Sequence, residues 1–147
     1  AWLSRNSNKK STLKGWFASL GEQVVKVQVE GEARYLLAEH KDELAATQPS
    51  CATCLLGAFD QFVLGPGTKD THMLANKHRS LVSKAAGWIA PVLTQGGRIT
   101  GVWEMDDGNL VVTPFPGEQA PSSKALEDAA ARLAAVHGLA KVTPRVG

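Results

Sequence analysis

The sequence is short of cysteine and of net charge, and each shortage narrows what the protein can be. Its two cysteines, Cys51 and Cys54, are too few for a disulfide-stapled scaffold. A structural zinc centre takes four ligands, but here one Cys-x-x-Cys stands alone, and His40, His72 and His78 fall at no paired spacing. A thioredoxin-like redox pair opens a helix after a strand, whereas this pair follows Gln48-Pro49-Ser50 and precedes an apolar stretch. It reads as two reduced thiols of a cytoplasmic protein, with no metal and no cofactor expected. No apolar run approaches the roughly 18 residues that span a bilayer, so no membrane association is expected. Nor is there a charged-then-apolar leader with a small-residue cleavage site. The chain opens on Ala1-Trp2-Leu3 without a Met, which reads as a piece of a longer protein. Phosphate-cradling loops are also missing, because Gly96-Gly97 sits in a turn between strands and not before a helix. No Ser/His/Asp set has a local signature, and no catalytic residue is assigned.

What is present is an ordinary globular composition, 44% apolar and 20% charged over 147 residues. That length suits one domain or two small ones. A formal net charge of +2 does not by itself argue for a nucleic-acid partner. Its distribution is more telling. Arg5, Lys9, Lys10 and Lys14 precede any acid, and Lys69, Lys77, Arg79, Lys84 and Arg98 face only Asp70 between Pro66 and Arg98. The stretch from Glu104 to Asp128 is acidic instead.

Periodicity gives the elements. Ser11 suits the N-cap of a helix over Thr12–Leu20, whose Leu13, Trp16, Phe17 and Leu20 make one apolar stripe ended by Gly21. Residues 23–29 alternate, Glu30-Gly31-Glu32 turns, and residues 33–38 return as a hairpin. Glu39–Thr47 reads as a short helix stopped before Pro49, and residues 48–54 as a linker. Leu55-Leu56 and Phe59–Leu64 read as short strands or turns broken by Gly65-Pro66-Gly67. Thr71–Ser83 fits a helix and an ordered loop equally. Trp88–Thr94, Arg98–Met105 and Asn109–Phe115 form a meander, with turns at Gln95-Gly96-Gly97 and Asp106-Asp107-Gly108. Such a meander needs a partner layer or closure into a barrel. Ser122 or Ser123 caps a last helix through Val136, Gly138 ends it, and the tail from Ala140 is expected to fray. Trp16, Trp88 and Trp103 are expected in the core, Asp60 as a turn cap, and His137 against a helix C-terminus. The predicted fold is α+β. Residues 1–48 form a winged-helix portion, and residues 49–147 a small antiparallel β-barrel-like domain with a C-terminal helix.

Leu55-Leu56-Gly57-Ala58-Phe59-Asp60-x-Phe62-Val63-Leu64-Gly65 resembles an L-L-P-x-F-D-x-Y-L-L-G signature. Trp88-Ile89-Ala90-Pro91-Val92-Leu93 with Gly96-Gly97-Arg98-Ile99-Thr100-Gly101-Val102-Trp103 resembles a second block that ends in G-x-W. Both belong to the bacterial winged-helix DNA-binding proteins, a family that includes the alkylpurine and crosslink-unhooking DNA glycosylases. Lys77-His78-Arg79 falls where that family carries a basic element. Residues 11–38, ending Gly31-x-x-x-Tyr35-Leu36-Leu37, are similar to its last winged helix. Gly57 replaces the signature proline, and Glu104 stands where a basic residue is common. The resemblance implies the C-terminal half of such a protein. The family's glycosylases carry a catalytic Gln-x-Gln in the N-terminal part, and no Gln-x-Gln occurs here.

Three functions follow as expectations. The first is non-specific contact with duplex phosphates through Lys9, Lys10 and Lys14 of the helix, Lys26 and Arg34 of the hairpin, and Lys77, His78, Arg79 and Lys84. The second is the non-catalytic half of a glycosylase for alkylated or crosslinked bases. The third is a scaffold or dimerisation module without nucleic acid. The expected partners are double-stranded DNA and the N-terminal remainder of the same protein.

Overall fold

A computed structural model describes residues 8–106 and 108–147; Trp2, Leu3, Arg5 and Asp107 lie outside them. The chain divides into two units, Ala1–Pro49 and Ser50–Gly147.

In the first unit, α1 runs Lys10–Leu20 and begins before the expected start. Lys9 takes the N-cap position without a side-chain hydrogen bond, so Ser11 lies inside the helix and does not cap it. Strands β1 (Val24–Val29) and β2 (Glu32–Leu37) pair antiparallel from Val24↔Leu37 to Val29↔Glu32. Their two-residue loop, Glu30-Gly31, has φ of +50° and +81°, the backbone twist that matches a tight hairpin. Helix α2 (Lys41–Ala46) follows one 3-10 turn. None of the described residues before Pro49 is buried. The expected α1 stripe therefore has no core beneath it in this unit: Trp16 is 52% exposed, and Phe17 meets Tyr35 with ring centroids 5.0 Å apart. Gly15, in mid-helix, has open space where a Cβ would go. Gly15→Ala is expected to gain about 1 kcal/mol of helix stability, read as higher helicity and a later thermal transition.

The second unit is built on a five-stranded sheet in the order β3-β4-β5-β6-β7. Its strands are β3 (Thr53–Leu56), β4 (Val92–Gln95), β5 (Arg98–Asp106), β6 (Asn109–Pro114) and β7 (Thr143–Val146). Alternation along the strands sorts their side chains to two faces. Leu55, Leu93, Trp103, Leu110 and Val112 turn one way and meet Leu126, Ala130, Leu133 and Ala134 of α5 (Ser123–His137). Leu56, Val92, Val102, Ile99 and Phe115 turn the other way and are covered by Val63, Leu74, Val82 and Ile89. Ile99 and Val102 are three apart and would normally face opposite sides. They share a face because the β4–β5 register shifts from Leu93↔Gly101 to Thr94↔Ile99, leaving Thr100 as an extra residue.

Three expectations about this unit are corrected. It is not an antiparallel barrel: among the described residues the sheet is open and curls about α5, which packs on the edge strands β3 and β7. The tail does not fray either. Val142 is buried, and β7 pairs parallel with β6, from Asn109↔Thr143 to Val112↔Val146. The linker ends sooner than read, since Thr53 and Cys54 already belong to β3; neither Cys51 nor Cys54 is bridged.

Phe59–Leu64 is not a strand. Asp60 Oδ1 accepts from the Phe62 N–H at 2.8 Å and starts the one-turn α3 (Gln61–Leu64). Thr71–Ser83 is largely an ordered loop, with a 3-10 turn at Asn76–His78 running into α4 (Arg79–Val82). At the last helix, Ser122 Oγ accepts from the Ala125 N–H at 3.2 Å, and Gly138 closes α5 at φ +66°.

Candidate nucleic-acid interface

Lys9, Lys10 and Lys14 are exposed at the start of α1. Free backbone N–H groups already make that end of a helix positive. Acidic residues normally offset this charge, and α1 has none in its first turn. Two sources of positive charge therefore coincide, an arrangement suited to an anion and not to an isolated helix. On the hairpin, Lys26 is exposed and lies across from Tyr35. Arg34 is less available, because its guanidinium is paired with Glu32, its neighbour along the same strand face.

In the second unit, Lys77, His78, Arg79 and Lys84 are not all exposed. Lys77 and Lys84 are exposed and Arg79 is half-buried. Arg79 donates through Nε to the Thr68 hydroxyl at 3.3 Å. None of these three cations pairs with a carboxylate among the described residues. His78 is the correction: it is 4% exposed and stacked on Phe115 with centroids 4.6 Å apart. Its Nε2 faces Glu118 Oε1 at 3.9 Å, beyond hydrogen-bond range, and has no hydrogen-bond partner among the described residues. A ring so placed packs the underside of the loop and cannot reach a phosphate while the loop is folded.

Two further corrections concern tryptophan. Trp103 is buried as expected and donates Nε1–H to the Leu56 carbonyl at 2.9 Å. Trp16 and Trp88 are about half exposed and belong to no core. Trp88 escapes the sheet because β4 begins only at Val92, beyond Pro91. Sequence reasoning also missed the Arg132 guanidinium, which donates to the Thr53 carbonyl at 2.7 Å and ties α5 to β3. Its position on the polar side of the helix gave no hint of a partner 79 residues away. Among the described residues there is no cluster of three or more His, Cys, Asp or Glu able to hold a metal ion, and no helix long and apolar enough to cross a membrane.

Comparison with known proteins gives this cationic arrangement a context. An interstrand DNA cross-link repair glycosylase of Streptomyces sahachiroi is 50% identical over 145 residues, 99% of this chain. The solved structure of the Streptomyces sahachiroi DNA glycosylase AlkZ superposes with a TM-score of 0.92 at 49% identity, again over 99% of this chain. The chain spans 39% of the length of each of these relatives. A family model described as DNA glycosylase AlkZ-like matches residues 1–136, and with nearly the whole length accounted for, the chain belongs to the AlkZ-like DNA glycosylase family.

Proposed function

We propose that this chain is the duplex-holding, non-catalytic C-terminal portion of an AlkZ-like glycosylase acting on interstrand crosslinks. In this reading, residues outside it excise the modified base and this portion grips DNA phosphates. The observation that carries the proposal is its 50% identity, over 99% of its length, to a cross-link repair glycosylase. In this reading α1 is the recognition helix and β1–β2 the wing of a winged helix.

The charge placement supports the phosphate role. Cations at the N-terminal end of a helix each cost a few tenths of a kcal/mol up to about 1 kcal/mol, and a bound anion reverses that sign. Lys9, Lys10 and Lys14 make the first set of phosphate contacts. Lys26 adds to them from the hairpin, with a smaller part for Arg34 because of Glu32. Lys77, Arg79 and Lys84 make the second set, and His78 is not among them. The acidic-glycine loop Glu30-Gly31 does not suit a phosphate and stays clear of the backbone.

Such contacts carry no sequence information and release counterions, so affinity should fall steeply with salt. The test is fluorescence anisotropy with a labelled duplex at several salt concentrations. The double variant Lys10→Ala/Lys14→Ala is expected to weaken binding to all duplexes alike and to lower the salt slope by roughly 2. An unchanged slope would remove α1 from the interface. The scaffold alternative is favoured by one observation, the exposure of Trp16, Phe17, Tyr35 and Leu44 in the first unit. Absence of any binding at low salt would select it.

A further inference from the structure

The second unit displays an aromatic pair that its core does not use. Phe59 and Trp88 meet edge to face, with centroids 5.0 Å apart and planes at 85°. Phe59 remains 43% exposed and Trp88 51%. Backbone constraint holds the rings outward. Phe59 has φ +59°, a conformation that bulky residues avoid. Trp88 closes a tight loop whose Ala86 and Gly87 have φ of +54° and +77°. In that loop the Lys84 N–H donates to the Trp88 carbonyl at 2.8 Å, and Ser83 bridges to Ile89 just outside it. A non-glycine residue held in the left-handed region marks a position where the surroundings over-determine the backbone, and such positions cluster at binding sites. Here two of them, Phe59 and Ala86, flank one exposed aromatic pair.

The pair adjoins positive charge. Ser83, next to the loop, lines a shallow cleft of about 290 Å³ with Asn76, Arg79 and Ser80. Among the described residues, the Arg79 guanidinium uses only Nε internally, on Thr68. Lys84 starts the Trp88 loop and is exposed. From Thr71 to Trp103 the sequence has no Asp or Glu, against Lys77, Arg79, Lys84 and Arg98. Asp60, beside Phe59, is the nearest carboxylate in sequence, and its Oδ1 is taken up by the Phe62 N–H. Glu118 faces His78 at 3.9 Å but pairs with none of Lys77, Arg79 and Lys84 among the described residues, and an apolar protein surface would find the rings attractive but not these cations. A nucleic-acid strand uses both, through the π-face of a base and the anionic backbone next to it.

We propose that Phe59 and Trp88 form a stacking platform for a nucleobase displaced from the duplex, with the Asn76–Arg79–Ser80–Ser83 cleft and Lys84 receiving the adjacent phosphate. The proposal rests on the DNA-binding reading above and adds a second kind of contact to it. Because every base has a π-face, the platform is indifferent to base identity. It favours DNA in which a base is already unpaired, where unstacking no longer opposes binding.

The experiment compares two duplexes of equal length at one salt concentration, one fully paired and one with a single bulged 2-aminopurine. The unaltered chain is expected to bind the bulged duplex about tenfold more tightly, with loss of 2-aminopurine emission as the base stacks. Trp88→Ala should abolish both the preference and the quench while keeping affinity for the paired duplex within about twofold. Trp88→Phe should retain part of each. The emission readout uses the unaltered chain, so it stands even if a variant misfolds. Equal affinity for the two duplexes, or unchanged emission at saturation, would overturn the platform and leave the phosphate contacts intact. Failure to bind either duplex would overturn both readings and assign the aromatic pair to a protein surface.

Discussion

Trp103→Ala is expected to destabilise the Ser50–Gly147 unit by about 3–5 kcal/mol. For a domain of about this size, each kcal/mol lowers the melting temperature by roughly 4–8 °C. The side chain sits at the centre of the layer between the sheet and α5, with Leu93, Leu110, Val112, Leu126 and Ala130. Truncation removes its apolar contacts and leaves a cavity that strands pinned on both sides cannot fill. It also takes away the Nε1–H that satisfies the Leu56 carbonyl. Trp103→Phe separates the two losses. Most of the volume returns while the carbonyl loses its donor, so about 1–3 kcal/mol of the effect should remain. Urea denaturation of both variants, followed by near-UV circular dichroism, gives the values. A cost for Trp103→Ala below about 1 kcal/mol would contradict the packing described.

Gly101→Ala is the second large effect. Gly101 sits in mid-strand on β5, where a Cβ would lie 2.6 Å from the Thr113 carbonyl oxygen, 3.0 Å from Pro114 Cα and 3.2 Å from Leu93 Cδ2. Two of these three neighbours are backbone atoms of the adjacent strand and cannot rotate away. Relief requires β5 and β6 to separate, so the cost should reach about 3 kcal/mol or more, the upper part of the range for overpacking. Gly101→Val should prevent the unit from folding. Hydrogen exchange would show the damage concentrated at the amides from Gly101 to Thr113, while α1 and the β1–β2 hairpin keep their protection. Uniform loss across both units would mean that the first depends on the second for its stability.

Much of the sheet is legible in the sequence because its signals are local. Arg98–Met105 and Asn109–Phe115 are rich in β-branched and aromatic residues, and Gly96-Gly97 marks the hairpin between β4 and β5. Strand β7 is hidden for the opposite reason. Thr143-Pro144-Arg145-Val146 contains a proline, and its pairing with β6 is set by a contact more than 30 residues away. Phe59–Leu64 misleads because its short apolar run, Phe62-Val63-Leu64, fits a strand and a helical turn equally, and the Asp60 cap decides. Trp88 misleads because Ile89 and Ala90 are buried, yet Pro91 delays the strand and turns the indole outward.

The candidate interface divides along the same line. Lys9, Lys10 and Lys14 stand out because they fall close together at the start of α1 and no acid precedes Glu22. The loss of His78 to the interior could not be read from Lys77-His78-Arg79, since its partner Phe115 is far along the chain. Nor could the meeting of Phe59 with Trp88, which depends on how two loops close and not on any spacing.

An open sheet leaves two bare strand edges, and each is a template on which another copy could polymerise. Here both are blunted. On β3, alternation turns the backbone of Thr53 to the open edge, and its carbonyl is occupied by Arg132, which caps the start of a four-residue strand. On β7, Gly147 directs its N–H to Val112, and strict alternation turns the backbone of position 144 outward. Proline there presents no donor, and the neighbouring Arg145 is held on Asp106 at 3.0 Å. A sheet that never closes is thus protected from amyloid-like growth by one arginine and one proline.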